Sequence, residues 1–176
     1  MSDDEATAAG SQIRWSARWD SQSWRISLRQ DGSWRATRTV RSPRGDTQVH
    51  TQTWPTAEPA WTWIRDAWLA ETTASYNHCE QALLAGIRQL RAGSPGFRPG
   101  SPLLRTRAEA ARDRLYAQAR WAGQAWLELT QAMPAQTAPC AIPAWLEYAL
   151  DDLAHGDGSV PSLDTWLSAS GANASS

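Results

Sequence analysis

The stretch that decides the fold is QIRWSARWDSQSWRISLRQDGSWRATRTVRSPRGDTQVHTQTW, residues 12–54. Apolar and polar residues alternate through it with the period of two that a half-buried β-strand requires. Turn-forming residues at 20–22, 31–32 and 42–46 divide it into four strands, at about 12–19, 23–30, 33–41 and 47–54. The pattern therefore predicts a four-stranded antiparallel sheet, whose fourth and most polar strand lies at an edge.

The two faces of this predicted sheet differ sharply in composition. One face is apolar, and only Arg38 interrupts it: Ile13, Trp15, Ala17, Trp19, Trp24, Ile26, Leu28, Trp34, Ala36 and Val40. The opposite face is basic: Arg14, Arg18, Arg25, Arg29, Arg35 and Arg41. The acidic residues of the stretch, Asp20, Asp31 and Asp46, lie in the turns. A sheet with one apolar face needs a covering layer, which the following residues supply.

Helical periodicity dominates the rest of the chain. Apolar stripes predict a helix at about 57–72 and another from about residue 77 to 92, with a break near Thr72 and Thr73 favoured over a single continuous helix. A longer helix is predicted from Pro102 to Met133, and shorter ones at about 143–155 and 162–168. The fold class expected is α+β, with a disordered acidic N-terminus (1–11), a basic sheet plus helix (12–72), a helical region (73–168) and a disordered tail (169–176).

Charge is distributed unevenly along the 176 residues. All 17 basic residues are arginine and there are 12 tryptophans, a residue choice typical of a GC-rich genome, so placement is more informative than number. Residues 12–54 have a net charge of +5, and residues 134–176 a net charge of −5. No stretch has the apolar length of a membrane span, and residues 1–10 lack the features of a signal peptide. A cytoplasmic protein is expected.

The basic face is the main candidate site. Like charges side by side on a sheet repel, so an arginine face without acids favours a negatively charged partner: DNA, RNA or an acidic protein segment. The residues predicted to contact nucleic acid are Arg14, Arg18, Arg25, Arg29, Arg35, Thr37, Arg41 and Arg44. Ser16, Ser27 and Thr39 lie among them as further donors to phosphate. The competing interpretation is a solvated face whose arginine stems cover apolar surface.

A family resemblance supports the DNA interpretation. The segments DGSWRA at 31–36, PRG at 43–45 and WPTAEPA at 54–60 resemble the small N-terminal DNA-binding domains of phage-type integrases. The resemblance, over residues 23–68, implies a three-stranded sheet in the major groove with a helix behind it. It also implies that Arg25, Arg29, Arg35, Thr37 and Arg41 contact DNA. The chain departs from that pattern in its additional leading strand, in Pro59, and in having no recognisable recombinase catalytic domain after these segments.

A secondary basic patch is predicted on the long helix and the loop before it. It comprises Arg98, Arg105 and Arg112, and Arg107 and Arg114 share its heptad spacing. Glu109 and Asp113 interleave with these arginines, which favours a solvated helix face over a second phosphate-binding surface.

No catalytic or metal-binding pattern is present. The three histidines and two cysteines lack zinc spacing, and the sequence contains no phosphate loop or nucleophile motif. We therefore expect no cofactor, no metal and no enzymatic activity. The function predicted is a nucleic-acid-binding accessory subunit of a larger nucleoprotein or mobile-element complex. The alternative is a scaffold whose helical C-terminal half binds a protein partner while the sheet makes no contact with nucleic acid.

Overall fold

The computed structural model describes residues 11–172. The strands are β1 (Gln12–Trp19), β2 (Gln22–Leu28), β3 (Trp34–Arg41) and β4 (Thr47–Trp54), joined in the order β1-β2-β3-β4 with every neighbouring pair antiparallel. Four helices follow within the described range: α1 (Ala57–Ala92), α2 (Pro102–Ala132), α3 (Ala144–His155) and α4 (Leu163–Ala172). The α+β prediction, with β4 at an edge, is confirmed.

The predicted disordered ends lie largely outside the described residues. Residues 1–10 and 173–176 are not described, and α4 continues to Ala172, four residues further than the sequence pattern indicates. The described chain divides into two units. A sheet unit comprises the chain up to Glu71 together with Ala125–Ala141, and a helical unit comprises Thr72–Gln124 together with the chain from Ile142.

The core of the sheet unit is built from tryptophan. Trp24 and Ile26 on the sheet, and Trp61 and Trp68 on α1, are almost completely buried. The rings of Trp34 and Trp61 lie 6.1 Å apart between β3 and α1. Each buried indole removes roughly 150–250 Å² from water, so these few side chains dominate the packing free energy of the unit. Trp68 also stacks on Trp126 of α2, with 5.6 Å between ring centroids.

The first helix is continuous, so the break predicted near Thr72 and Thr73 is wrong. The apolar stripe that begins at Trp61 and Trp68 continues through Thr72, which is 1% exposed, to the buried Leu83. A β-branched residue in a helix costs at most about 0.7 kcal/mol relative to alanine. Burying a continuous stripe yields more than that, and tertiary packing therefore overrides the local preference.

One strand residue faces the opposite way from its prediction. Ile13 was expected on the apolar face, but it pairs with Ser27 and is 53% exposed. The pairing register shifts between Ile13 and Trp15, because a β-bulge at this point accommodates Arg14 as an extra residue. An extra residue reverses the alternation on one side of the bulge, which turns Ile13 away from the core.

The helical unit has a separate aliphatic core. Its buried members are Cys79, Leu83, Ile87, Leu90, Leu104, Ala108, Leu115 and Leu163. The close approach of helices that the alanine-rich seam predicts is seen at Gly86, where an added Cβ would lie 3.2 Å from the Cα of Ala108. In the helices of residues 11–172, no segment is both long enough and apolar enough to span a membrane.

The end of α1 allows a specific prediction about stability. Gly93 has φ of +81°, its amide donates to the Gln89 carbonyl, and an added Cβ would lie 2.9 Å from the Phe97 carbonyl oxygen. We expect Gly93→Ala to lower the free energy of unfolding by about 2 to 3 kcal/mol, measured by urea denaturation.

Gly96→Ala is the matched control for this prediction. Gly96 has a similar φ of +83°, but nothing lies within 4 Å of its added Cβ. We expect a smaller loss there, about 1 kcal/mol, because only the left-handed backbone is penalised. Equal losses at Gly93 and Gly96 would contradict the contribution of the Phe97 contact.

Candidate nucleic-acid interface

The face of the sheet turned away from α1, here called the outer face, contains the predicted site. Strand register aligns its side chains in rows across the sheet. One row contains Ser16, Arg25, Thr37 and Thr51; a second contains Arg18, Ser23, Thr39 and Val49; a third contains Ile13, Ser27, Arg35 and Thr53. Arg41, next to the second row on β3, pairs with Thr47. In these rows no arginine lies directly opposite another, which reduces their mutual repulsion.

Three of the arginines form a line across the sheet. Arg18 on β1, Arg25 on β2 and Arg35 on β3 occupy successive strands and successive rows, and we call them the arginine diagonal. Diagonal neighbours on a sheet are about 7 to 8 Å apart. The three guanidinium groups therefore follow a path rather than forming one cluster. An extended chain of negative charges fits such a path better than a single anion does.

The arginines predicted to contact nucleic acid are almost all unpaired, including Arg14, which is the extra residue of the β1 bulge and lies outside the rows, and Arg44, which lies in a turn. Within residues 11–172, no carboxylate forms an ion pair with Arg14, Arg18, Arg25, Arg35, Arg41 or Arg44. Arg29 is the exception, with Nη1 at 3.4 Å from the Asp31 carboxylate. The Ser33 hydroxyl and amide both donate to Asp31 and, with Arg29, hold the pKa of Asp31 below its usual value. Among the predicted contact residues, Arg29 is therefore the one whose positive charge is most neutralised by a neighbouring carboxylate.

A depression of about 690 Å³ lies at one corner of the outer face. Its lining includes Arg18, Arg25 and Arg41. Five hydroxyl residues, Ser16, Ser21, Ser23, Thr39 and Thr47, also line it, as does the acid Asp20. Guanidinium and hydroxyl groups are the side-chain donors that most often contact phosphate oxygens. The depression thus combines charge with neutral donors at the end of the arginine diagonal that Arg18 marks.

Two predicted hydroxyl donors are partly committed within the sheet. Ser27 is buried, and its Oγ lies 3.5 Å from the Arg35 carbonyl oxygen, so it does not present its hydroxyl to solvent. The Thr37 hydroxyl lies 3.2 Å from that of Thr51 on the neighbouring strand. A hydroxyl both donates and accepts, so Thr37 retains hydrogen-bonding capacity, whereas Ser27 does not reach the surface.

The arginine on the apolar face has a partner that sequence reasoning missed. Arg38 forms an ion pair with Glu71 of α1, and the other Glu71 oxygen accepts a hydrogen bond of 2.9 Å from Trp24 Nε1. The Glu71 side chain is 13% exposed and the Arg38 side chain 32%. The signal was present in the sequence, because Glu71 follows Trp68 by three residues on the buried stripe of the helix. An acid on such a stripe indicates a buried cation opposite.

The outer face also contains two exposed apolar side chains, which sequence reasoning did not place there. Ile13 is 53% exposed and Val49 is 58% exposed, one on each edge strand. Base edges and sugars present apolar surface, and thymine presents a methyl group, so such residues are compatible with a nucleic-acid interface. Their symmetrical placement on β1 and β4 also offers a pair of matched positions for substitution.

The secondary basic patch is more neutralised than the outer face. Arg105 bonds both oxygens of Asp164 at 2.8 and 2.9 Å, and Glu109 at 3.2 Å. The Asp164 contact is the main cause of the raised pKa of Arg105. Arg112 is paired with Asp113 at 2.7 Å, and the guanidinium of Arg107 lies 5.6 Å from the centroid of the Phe97 ring. Arg98 is exposed. These contacts favour a solvated helix face for this patch.

The described residues contain no group of three or more His, Cys, Asp or Glu side chains arranged to hold a metal ion. Cys79 is buried and Cys140 half-buried, and both are free thiols.

Tyr76 stacks on Trp145 with 4.5 Å between ring centroids. Burial raises the pKa of Tyr76, and the nearby Glu80 and Tyr116 add to the shift. This phenol therefore remains protonated at neutral pH.

Comparison of the chain with protein-family models, with curated proteins and with solved structures finds no match. The resemblance to integrase DNA-binding domains therefore depends on the sequence motifs alone.

Proposed function

We propose that this protein binds nucleic acid through the outer face of its sheet. The observation on which the proposal depends is the set of six arginines of the sheet and its turns without an ion-paired carboxylate among residues 11–172. Phosphate contacts by arginine fix a protein on DNA or RNA and supply most of the sequence-independent affinity. The accessory role in a larger nucleoprotein or mobile-element complex is part of the proposal and depends on the integrase resemblance.

The contrast with the rest of the chain supports this proposal over a solvated arginine face. Most of the arginines elsewhere in residues 11–172 contact acids or carbonyls: Arg38 pairs with Glu71, Arg105 with Asp164, and Arg65 with Asp66 and the Ala138 carbonyl. A chain with 18 acidic residues has enough carboxylates to neutralise the outer face as well. The acids near that face lie instead in the turns between its strands. A face kept free of acids is expected where the counter-charge comes from a ligand.

The proposal is tested by a binding titration with labelled oligonucleotides of about 20 residues. Single-stranded and duplex forms of DNA and RNA are compared by fluorescence anisotropy. If about six phosphates are contacted, affinity for duplex DNA falls by about a thousandfold between about 50 and 200 mM salt. The form bound most tightly identifies the ligand class. Absence of binding to all four ligands at the lower salt concentration would overturn the proposal, as would affinity that does not depend on salt.

A further inference from the structure

The edge strand β4 has none of the features that protect an exposed strand. Every residue of β4 except Trp54 is exposed, and no residue in it is Lys, Arg, Asp, Glu or Pro. Its register with β3 runs from Trp54 to Thr47 without a bulge. Proteins usually block edge strands with charges, prolines or bulges, because the free backbone groups pair with other strands. The opposite edge, β1, has both a bulge and the charges of Arg14 and Arg18.

A groove of about 810 Å³ lies beside β4. We call it the β4–α1 groove, lined by Gln52, Trp54, Glu58, Thr62, Trp63 and Asp66, among others. The rings of Trp54 and Trp63 lie 5.7 Å apart. Glu58 forms no ion pair with any residue in the range 11–172, and Asp66 is 57% exposed although Arg65 contacts its Oδ1. Two indole rings and two carboxylates make this groove suited to a guanidinium or ammonium group.

We propose that two copies of this chain pair antiparallel through β4, and that Arg44 of each copy enters the β4–α1 groove of the other. A two-fold axis normal to the sheet relates such strands, so the same residues meet from both sides. With the axis at His50 or Thr51, the turn that holds Arg44 comes beside residues 56–58 of the second copy. Arg44 is exposed and has no carboxylate partner within residues 11–172. In the dimer Arg44 occupies the groove instead of contacting phosphate, which leaves the other five unpaired arginines to the proposed nucleic-acid site. The charge complementarity of Arg44 and the groove identifies the occupant as a second copy.

Repulsion between the two basic faces does not prevent this pairing. The outward residues of β4 are Thr47, Val49, Thr51 and Thr53, all uncharged, so two neutral strands separate the arginines of one β3 from those of the other. Three strand spacings amount to about 14 Å. That distance exceeds the Debye length of about 8 Å at physiological ionic strength, and the repulsion is therefore largely screened. The pairing joins both outer faces on the same side of one continuous eight-stranded sheet.

The proposal is tested by sedimentation equilibrium of the full chain without nucleic acid, over about 1 to 200 µM, a range suited to a small interface. We expect a reversible monomer–dimer equilibrium. Val49→Lys places two like charges close to the axis when the axis is at His50, and weakens dimerisation by about tenfold or more; Thr51→Lys gives the same test when the axis is at Thr51. The matched variant Ile13→Lys, on the other edge and similarly exposed, leaves the dissociation constant unchanged. A monomer at every concentration, or equal effects of the two variants, would overturn the pairing.

A charge swap tests the groove separately. Arg44→Glu and Glu58→Arg each weaken the dimer, and the two together restore it if their side chains meet across the interface. Losses that merely add would overturn the placement of Arg44. Because misfolding also abolishes a dimer, a cross-linking experiment complements these variants. In a Cys140→Ser background, His50→Cys or Thr51→Cys forms an intermolecular disulfide, whereas Ser16→Cys on β1 does not; cross-linking at Ser16→Cys alone would overturn the choice of edge. None of these experiments depends on binding to nucleic acid, so their failure is distinguishable from failure of the proposed function.

Discussion

Removing the arginine diagonal is expected to reduce nucleic-acid affinity by roughly a hundredfold at about 0.1 M salt. The variant combines Arg18→Ala, Arg25→Ala and Arg35→Ala. Each arginine is taken to contribute about 1 kcal/mol through one phosphate contact, less than a buried charged hydrogen bond because these side chains are solvated. The slope of log affinity against log salt should also become shallower by about three, since three fewer counterions are released. Anisotropy titrations at several salt concentrations measure both quantities.

The secondary basic patch supplies a charge-matched control. Arg98→Ala, Arg105→Ala and Arg112→Ala together remove the same net charge. Arg105 and Arg112 already pair with Asp164 and Asp113, so we expect little change in affinity or in salt slope. Far-UV circular dichroism verifies that both triple variants are folded. If the control loses as much affinity as the diagonal variant, general positive charge rather than the outer face determines binding, and the assignment of the site is wrong.

The strands and the orientation of the arginines could be predicted because backbone geometry alone determines them. Successive side chains of a strand point to opposite faces, so the alternation of Trp and Arg in β2 translates directly into an inner and an outer face. The turn at Asp31-Gly32 could be predicted from the sequence equally well. Gly32 has φ of +81° and donates to the Arg29 carbonyl, as a turn with a left-handed residue requires. These features depend on neighbouring residues only.

The features that were missed depend on residues distant in sequence. The bulge at Arg14 arises from how β1 is paired with β2, and nothing in the residues around Ile13 marks it. The continuity of α1 through Thr72 and Thr73 reflects burial against the rest of the fold, which outweighs two unfavourable local preferences. The β4–α1 groove exists only once Trp54 and Trp63 are brought together. The local sequence pattern therefore predicted the basic face. The bulge in β1 and the groove beside β4 could be recognised only from the tertiary structure.

The second large effect expected is on stability, from Glu71→Ala. This substitution leaves the Arg38 guanidinium without its carboxylate and Trp24 Nε1 without its acceptor. Losing one partner of a fully buried ion pair typically costs about 3–5 kcal/mol. Since Arg38 is about one-third exposed, water partly replaces the lost partner, and we expect a loss of about 2 to 3 kcal/mol in the free energy of unfolding. Urea denaturation followed by tryptophan fluorescence measures it.

Three further variants separate charge from hydrogen bonding in this contact. Glu71→Gln keeps an acceptor for Trp24 but removes the charge, so its free energy of unfolding should lie between those of the wild type and Glu71→Ala. Glu58→Ala, measured at a protein concentration at which the chain is monomeric, removes an exposed acid from the first turn of the same helix and should change stability by no more than about 1 kcal/mol. Arg38→Met combined with Glu71→Leu replaces both charges with apolar groups and should recover part of the loss.

The pattern across these variants decides what the ion pair contributes. If Glu71→Ala unfolds at the same urea concentration as Glu58→Ala, the pair adds nothing to stability, and tryptophan packing alone holds α1 on the sheet. If Glu71→Ala is destabilised and the double apolar variant recovers, the penalty comes from the stranded Arg38 charge. In that case a pair of apolar residues would hold the helix on the sheet equally well. The role of the Glu71 carboxylate would then be to neutralise Arg38, so that the sheet can accommodate an arginine on its apolar face. The positions of the outer-face arginines would then not depend on Glu71. The folded Glu71→Gln variant should therefore bind nucleic acid as tightly as the wild type.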